Sequence, residues 1–162
     1  MPDAAVLTIS DSGAAGERED TSGQAVRELL ESIGINVAKY EIVPDSQATV
    51  EARLREWGDS GEVQLIVTTG GTGLGPRDVT PEATNAVVDY EVPGIAEAMR
   101  AEGLKHTPMS MISRAMAGVR NGVLIINLPG SPKGVRENLS VALPVLTHAI
   151  ELLAGERSDH GP

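Results

Sequence analysis

Two hydrophobic patterns alternate along the first half of the chain. Short apolar runs at residues 4–9, 37–43 and 63–69 predict buried strands. Between them, apolar residues recur every three or four positions. This spacing predicts one helix from Thr21, as its N-cap, to Gly34, and a second helix that carries Val50, Leu54 and Trp57 on one face. Alternating strands and helices indicate an α/β fold with a largely parallel sheet and helices on both faces.

The second half of the chain continues this order and adds a hairpin. Thr80 and Pro81 form an N-cap and first-turn pair for a helix, and a further helix is expected at residues 94–104. Two strands, 115–120 and 123–128, flank the dipeptide at 121–122 (Asn-Gly), a strong hairpin signal that adds one antiparallel pair. A last helix runs towards Leu153, and Pro144 should kink or split it. We expect a single domain over residues 1–154 and a disordered tail over residues 155–162.

Composition narrows the class of ligand. The chain of 162 residues has 13 Lys and Arg against 23 Asp and Glu, a formal net charge of −10, so its overall field repels nucleic acid and anionic membranes. A phosphate-bearing ligand would therefore need a local source of positive charge at its binding site. The absence of Cys excludes disulfides, thiolate catalysis and Cys zinc sites. No signal peptide or membrane-spanning run is visible, so we expect no membrane partner and a cytoplasmic location.

Loops of unusual composition follow four of the predicted strands, where an open α/β sheet binds its ligands. Residues 70–75 contain four glycines and Thr72 directly after Thr69. Such a loop is either a tight turn or a cradle in which backbone N–H groups approach an anion. It lacks the lysine and hydroxyl residue of a Walker A loop and the spacing of a dinucleotide fingerprint. Four glycines favour the ligand loop.

Three aspartates lie at strand ends, and each has two interpretations. Asp78 either caps the helix near Thr80 or holds a magnesium ion on phosphate oxygens. Asp45 either caps the second helix or, because Ser46 can serve as that cap, has its carboxylate free for a ligand. Asp11 follows the first strand in a similar position, so the three could together form a metal site.

The segment after the last strand, Pro129 and Gly130 followed by Ser131, Pro132 and Lys133, also allows two interpretations. It is at least a good helix start. It is equally a candidate anion-binding site, because free backbone amides, the positive end of a helix dipole and an ammonium group come together there.

Several segments together resemble the MogA/MoaB family of molybdenum cofactor biosynthesis proteins, which includes the G domain of gephyrin. The longest match is the signature from Thr68 to Gly73 and from Pro76 to Thr84. Four shorter segments agree, at residues 10–12, 43–45, 111–114 and 124–132. The similarity spans roughly residues 5–153.

This resemblance implies a MogA-like three-layer α/β/α sandwich, which is usually a homotrimer. It implies transfer of AMP from ATP to the phosphate of molybdopterin, with magnesium and release of pyrophosphate, and transient contact with a molybdenum-inserting enzyme. Asp78 and Asp45 match the essential, metal-holding carboxylates of the family, and Ser113 matches a position near the dithiolene end of the pterin. The remaining residues expected to bind the pterin, its phosphate and the nucleotide are Ser10, Asp11, Thr69, Gly70, Gly71, Thr72, Gly73, Pro129, Gly130, Ser131, Pro132 and Lys133.

Two other functions remain open on sequence grounds. One is a catalytically silent module that binds molybdopterin or serves as a scaffold, against which the retained Asp45 and Asp78 count. The other is a CinA-like nucleotide hydrolase, whose related domain shares the glycine signature.

Overall fold

The computed structural model describes residues 1–155, so nearly all of the predicted tail lies outside the described residues. The elements follow in the order β1 Asp3–Ile9, α1 Asp11–Ala14, α2 Thr21–Ser32, β2 Asn36–Val43, α3 Gln47–Asp59, β3 Leu65–Thr69, α4 Thr80–Val87, β4 Tyr90–Glu91, α5 Pro93–Gly103, a 3₁₀ turn Pro108–Ile112, β5 Ala117–Arg120, β6 Val123–Leu128 and α6 Pro132–Leu153.

The strands form one six-stranded mixed sheet in the order β2-β1-β3-β6-β5-β4. β2, β1, β3 and β6 run parallel to one another, and β5 pairs antiparallel with both β6 and β4. The predicted hairpin is confirmed: Asn121 and Gly122 connect β5 to β6 with φ of 47° and 77°, the left-handed conformation that a tight primed turn requires.

Helices cover both faces of this sheet, which confirms the three-layer sandwich. On one face α2, α5 and α6 bury an aliphatic cluster that includes Leu30, Met99 and Leu139. On the other face α3 and α4 bury Leu54, Trp57 and Val87. The central strand β3 is buried at every position, because helices pack on both of its sides. Within the described residues, none of the helices combines the length and apolar composition that crossing a bilayer requires.

A polar group lies inside this core. Asn127 on β6 is fully buried, and its amide nitrogen donates to the hydroxyls of Thr68 and Thr84, each at 3.0 Å. Its amide oxygen accepts the backbone N–H of Met116 at 3.2 Å. The amide therefore meets its main hydrogen-bonding needs and links β6 to β3, α4 and the entry to β5.

The structure corrects several local predictions. Asp20, and not Thr21, is the N-cap of α2, because its carboxylate accepts the N–H of Gly23 at 2.9 Å. Thr80 lies inside α4, whose N-cap residue Val79 makes no side-chain capping bond. Of the two outcomes predicted at Pro144, a kink or a split, the split is wrong, since α6 continues through this residue. α1, β4 and the 3₁₀ turn were absent from the sequence prediction.

Candidate active site

The carboxyl ends of β2, β1, β3 and β6 lie side by side at one edge of the sheet. Backbone bonds join the loops that leave them: Ser10 N–H donates to Val43 at 2.9 Å, and Gly70 N–H donates to Leu128 at 3.0 Å. The hydroxyl of Thr69 donates to the carbonyl of Pro129 at 2.6 Å. The sheet register therefore collects all four loops that sequence analysis singled out.

The first glycines of residues 70–75, the glycine loop, are required by geometry. Gly70 and Gly71 have φ of 100° and 68°, and a Cβ on Gly70 would lie 2.3 Å from the carbonyl oxygen of Ile9. A Cβ on Gly71 would lie 2.4 Å from the hydroxyl oxygen of Thr80. That hydroxyl donates to the carbonyl of Gly70 at 2.9 Å, so Thr80 supports the loop instead of capping its own helix.

Asp78 lies against the far end of the glycine loop. Its Oδ2 accepts the N–H of Gly75 at 2.9 Å, and its own N–H donates to the carbonyl of Gly75 at 3.0 Å. A Cβ on Gly73 or Gly75 would approach that Oδ2 to 3.0 or 2.9 Å. One carboxylate oxygen therefore holds a local turn, and Oδ1 makes no hydrogen bond to any residue of 1–155. The interpretation of Asp78 as a cap for the helix near Thr80 is wrong, because its carboxylate bonds Gly75 and not the start of α4; the ligand interpretation stays a prediction.

Arg114 fastens this loop from outside, a role that sequence analysis missed. Its backbone N–H donates to the carbonyl of Thr72 at 2.8 Å, and its Nε donates to the carbonyl of Gly73 at 2.7 Å. Its Nη2 donates to the carbonyl of Asp78 at 2.8 Å, and Nη1 pairs with Glu82. That pair lowers the pKa of the Glu82 carboxyl. The only sequence signal was the place of Arg114 in the segment 111–114.

Asp11 and Asp45 bind each other's backbone. The N–H of Asp11 donates to Asp45 Oδ2 and the N–H of Asp45 donates to Asp11 Oδ1, both at 3.0 Å. Arg77 completes the arrangement, donating from Nε to Asp11 Oδ2 at 2.6 Å and from Nη2 to Asp11 Oδ1 at 3.0 Å. Hydrogen bonding from Arg77 lowers the pKa of the Asp11 carboxyl. Ser46 caps α3 as predicted, so Asp45 is not needed there.

The hypothesis of a three-aspartate metal site is wrong. Both oxygens of Asp11 are occupied by the guanidinium of Arg77, and residues 1–155 contain no group of three acidic or histidine side chains that could hold a metal. Asp45 and Asp78 remain as a pair. Burial raises the pKa of the Asp45 carboxyl, and the negative charges of Asp11 and Asp78 add to that effect. A bound cation would relieve this crowding of negative charge, so the donor set fits a magnesium ion that takes its other ligands from phosphate and water.

The helix α6 begins at the opposite side of the glycine loop. Ser131 is its N-cap and accepts the N–H of Gly134 at 3.0 Å, while Pro132 occupies the first turn. A Cβ on Gly130 would lie 3.4 Å from the Cα of Gly70, so the two loops are in contact. The side chain of Lys133 is 82% exposed, and its ammonium lies 3.8 Å from Glu137 Oε1. The N-terminus of α6 therefore carries an accessible positive charge.

A cavity of about 280 Å³ opens between the 3₁₀ turn and the start of α6. Ser113, Pro129, Ser131 and Lys133, which sequence analysis selected as binding residues, line it. So do residues that sequence analysis did not select: His106, Ser110, Glu137 and Asn138. The available signal for Glu137 was its position one helical turn after Lys133, on the same face of α6.

A smaller cavity of about 50 Å³ lies on the other side of Gly70 and Gly130, between β1 and α2, where Ser10 and Asp20 line it. Burial raises the pKa of the Asp20 carboxyl, but hydrogen bonds from Thr8, Tyr40, Gly23 and Ser22 outweigh it and lower that pKa overall. Asp20 thus ties α2 to β1 and β2. Ser10 itself caps α1, accepting the N–H of Gly13 at 3.1 Å.

Comparison with known sequences shows the family of the chain. The family profile described as a probable molybdopterin binding domain matches residues 5–148. The chain belongs to this family. The relatives of the chain include a molybdopterin adenylyltransferase of Helicobacter pylori strain J99. It is 43% identical over 152 residues, which cover 93% of this chain and 86% of the relative. The molybdopterin adenylyltransferase of Escherichia coli K12 is 41% identical over 136 residues, covering 83% of this chain and 70% of the relative.

Solved structures of the same family confirm the predicted fold. The molybdopterin biosynthesis enzyme MoaB from Thermus thermophilus superposes with a TM-score of 0.90 and 53% identity, covering 96% of this chain and 98% of that one. The CinA protein of Thermoplasma acidophilum superposes with a TM-score of 0.64 at 20% identity, covering 92% of this chain and 98% of that one, which shows a shared fold alone.

Proposed function

We propose that this protein is a molybdopterin adenylyltransferase, which transfers AMP from ATP to the phosphate of molybdopterin and releases pyrophosphate. One observation carries the proposal: the glycine loop, the Asp45–Asp78 pair and the capped start of α6 meet at one edge of the sheet. The names of the curated relatives support the same activity.

The reaction joins two anions. An oxygen of the molybdopterin phosphate attacks the α-phosphorus of ATP, the bond from that phosphorus to the bridging oxygen breaks, and pyrophosphate leaves with the electron pair. A phosphate monoester is already largely ionised near neutral pH, so the nucleophile needs no general base. The protein must instead position both substrates and offset their repulsion.

The residues divide this task between the two sides of the site. The N–H groups of residues 70–73 and the start of α6, with Lys133, supply positive potential to phosphate groups in a protein of net charge −10. We propose that Asp45 and Asp78 hold magnesium. When bound, that ion would neutralise charge on the ATP phosphates. Arg114 keeps the loop and Asp78 in place through its bonds to the carbonyls of Gly73 and Asp78.

The pterin is assigned to the cavity of about 280 Å³, because Ser113, Ser131 and Lys133 all line it. Ser10, Asp11, Thr69, Pro129, Gly130 and Pro132 complete the proposed binding set, with Asp11 acting through Arg77 and the backbone of Asp45 rather than as a metal ligand. A catalytically silent role is less well supported, because Asp45 and Asp78 keep the carboxylates that the reaction needs.

The decisive experiment follows pyrophosphate release from the full chain with ATP, magnesium and molybdopterin. Omitting any one of the three should abolish release. A matched control is Asp3→Asn, since Asp3 lies at the opposite end of β1, where its side chain accepts a hydrogen bond from Asn36. That variant should turn over at the wild-type rate. Absence of pyrophosphate from the wild-type chain under all conditions would refute the proposal.

We also propose a cytoplasmic homotrimer in transient contact with a molybdenum-inserting enzyme. The basis for the trimer is the resemblance to the MogA/MoaB family, whose members are usually homotrimers. Light scattering should return three times the monomer mass of 16.9 kDa. A monomer at micromolar concentration would contradict the trimer.

A further inference from the structure

The proposed pterin cavity contains a carboxylate that phosphate chemistry does not require. Glu137 lies on α6, one turn after Lys133, and lines the cavity with a side chain that is only 17% exposed. Negative charge beside two anionic substrates works against binding their phosphates. The position of Glu137 therefore calls for a different partner.

The residues around Glu137 do not satisfy it directly. Its Oε1 lies 3.7 Å from Nδ1 of His106 and 3.8 Å from Nζ of Lys133, both longer than an N–H···O hydrogen bond. Within residues 1–155, no donor lies at hydrogen-bonding distance from this carboxylate. The carboxylate is therefore open to the cavity, and a ligand that brings hydrogen-bond donors there can bond it directly in place of water.

We infer that Glu137 recognises the pyrimidine edge of the pterin ring, and so determines which bicyclic ring the enzyme accepts. This inference rests on the proposed function. The 2-amino-4-oxo ring presents its N3–H and 2-amino group side by side, and these two donors match the two oxygens of one carboxylate. Ser131 and Lys133 line the same cavity and remain available for the phosphate of the same ligand.

A purely structural role would have a different consequence. If Glu137 served only as the ionic partner of Lys133, its loss would alter the binding of every anionic ligand alike. Recognition of the ring edge instead predicts discrimination between rings that differ only at C2. Pterin and lumazine form such a pair, because lumazine has a carbonyl acceptor where pterin has the amino donor.

The test compares these two probes on the full chain by titrating their fluorescence. Wild-type protein should bind pterin about tenfold more tightly than lumazine, the discrimination typical of bidentate reading of a base edge. Glu137→Gln should reduce this ratio to below about threefold, since an amide offers only one acceptor. Its ATP affinity should not fall, because the substitution removes a negative charge, and retained ATP binding also shows that the variant is folded.

Glu102→Gln is the matched control. Glu102 also faces His106, with its Oε1 3.6 Å from Nε2, but it does not line the cavity. This variant should keep the wild-type preference. Glu137→Asp, which retains a shorter carboxylate, should weaken pterin binding while still preferring pterin to lumazine.

The inference is overturned if wild-type protein binds the two probes equally, binds neither, or if Glu137→Gln keeps the full preference. These outcomes are separable from failure of the proposed function. Ring discrimination without pyrophosphate release would refute the transferase activity and leave the role of Glu137 standing. Turnover without discrimination would refute only the role of Glu137.

Discussion

Asp78→Asn separates the structural role of this residue from its proposed chemical role. Asn keeps an oxygen that can accept the N–H of Gly75, now at 2.9 Å from Oδ2. The backbone carbonyl of residue 78 still accepts from Arg114 at 2.8 Å, because the substitution does not touch it. The stability cost is then the difference between a charged and a neutral acceptor, about 1 kcal/mol or less, or a melting shift of about 2–4 °C at most.

The chemical consequence should be far larger. If the negative charge of Asp78 holds magnesium against the phosphates, its removal should slow adenylate transfer by at least about 100-fold, or roughly 2.7 kcal/mol in the barrier. Pyrophosphate release measures this on the same protein whose melting temperature is recorded. Near-wild-type turnover would refute the catalytic assignment, and a collapsed melting temperature would show that the turn, not the charge, is what matters.

A third readout tests the electrostatic coupling of the two carboxylates. The negative charge of Asp78 is one of the causes that raise the pKa of the Asp45 carboxyl, after burial and the charge of Asp11. Asp78→Asn should therefore lower the pKa of Asp45, which an NMR titration of its carboxyl carbon can follow in metal-free protein. An unchanged pKa of Asp45 would mean that the charge of Asp78 does not act on the Asp45 carboxyl.

Three further predictions concern the supports of the site. Arg114→Lys keeps the charge but loses the fork that reaches two carbonyls, so turnover should fall about tenfold with little change in melting temperature; an unchanged rate in the pyrophosphate assay would count against a positioning role. Ser131→Ala and Lys133→Ala should weaken ligand binding, by up to about 1.5–3 kcal/mol, more than they slow bound turnover, and steady-state kinetics would disprove this by showing wild-type KM for both substrates. Asp20 has a lowered pKa when folded, so its stabilising effect is present above the pKa of the unfolded chain and is lost as pH falls through the folded pKa. The stability gap between wild type and Asp20→Asn in urea should thus shrink from pH 7 to below pH 4, and a gap independent of pH would contradict this.

Local patterns predicted most of the fold because the relevant signals are themselves local. Apolar runs, helical spacing and the Asn-Gly turn depend on residues close in sequence, and the strands and main helices were placed within a few residues. The capping of α2 was misassigned because Thr21 satisfies the capping pattern equally well. What selects Asp20 is its second oxygen, which accepts the hydroxyl of Thr8 at 2.7 Å from the neighbouring strand.

The candidate site was predictable in outline but not in its internal pairing. Loops at strand ends identified the glycine loop and the aspartates, because the edge of a parallel sheet gathers them. Sequence could not show that Arg77, distant in the chain, takes both oxygens of Asp11 and removes it from the metal candidates. Nor could it show that Arg114 anchors the loop, since the contacts that reveal it are to backbone carbonyls and leave no pattern in side-chain type.

The buried amide of Asn127 has a consequence for how the two halves of the site stay aligned. Asn127 lies opposite Thr68 in the β3–β6 pairing and donates to its hydroxyl. This hydrogen bond fixes the register of β6 against β3. Sliding β6 by one residue would turn this amide to the other face of the sheet and replace it with an apolar side chain. The same slip would carry Gly130 away from Gly70, whose contact joins the two loops. The level at which the glycine loop and the start of α6 meet is therefore set inside the core, beneath the loops that we propose bind the substrates.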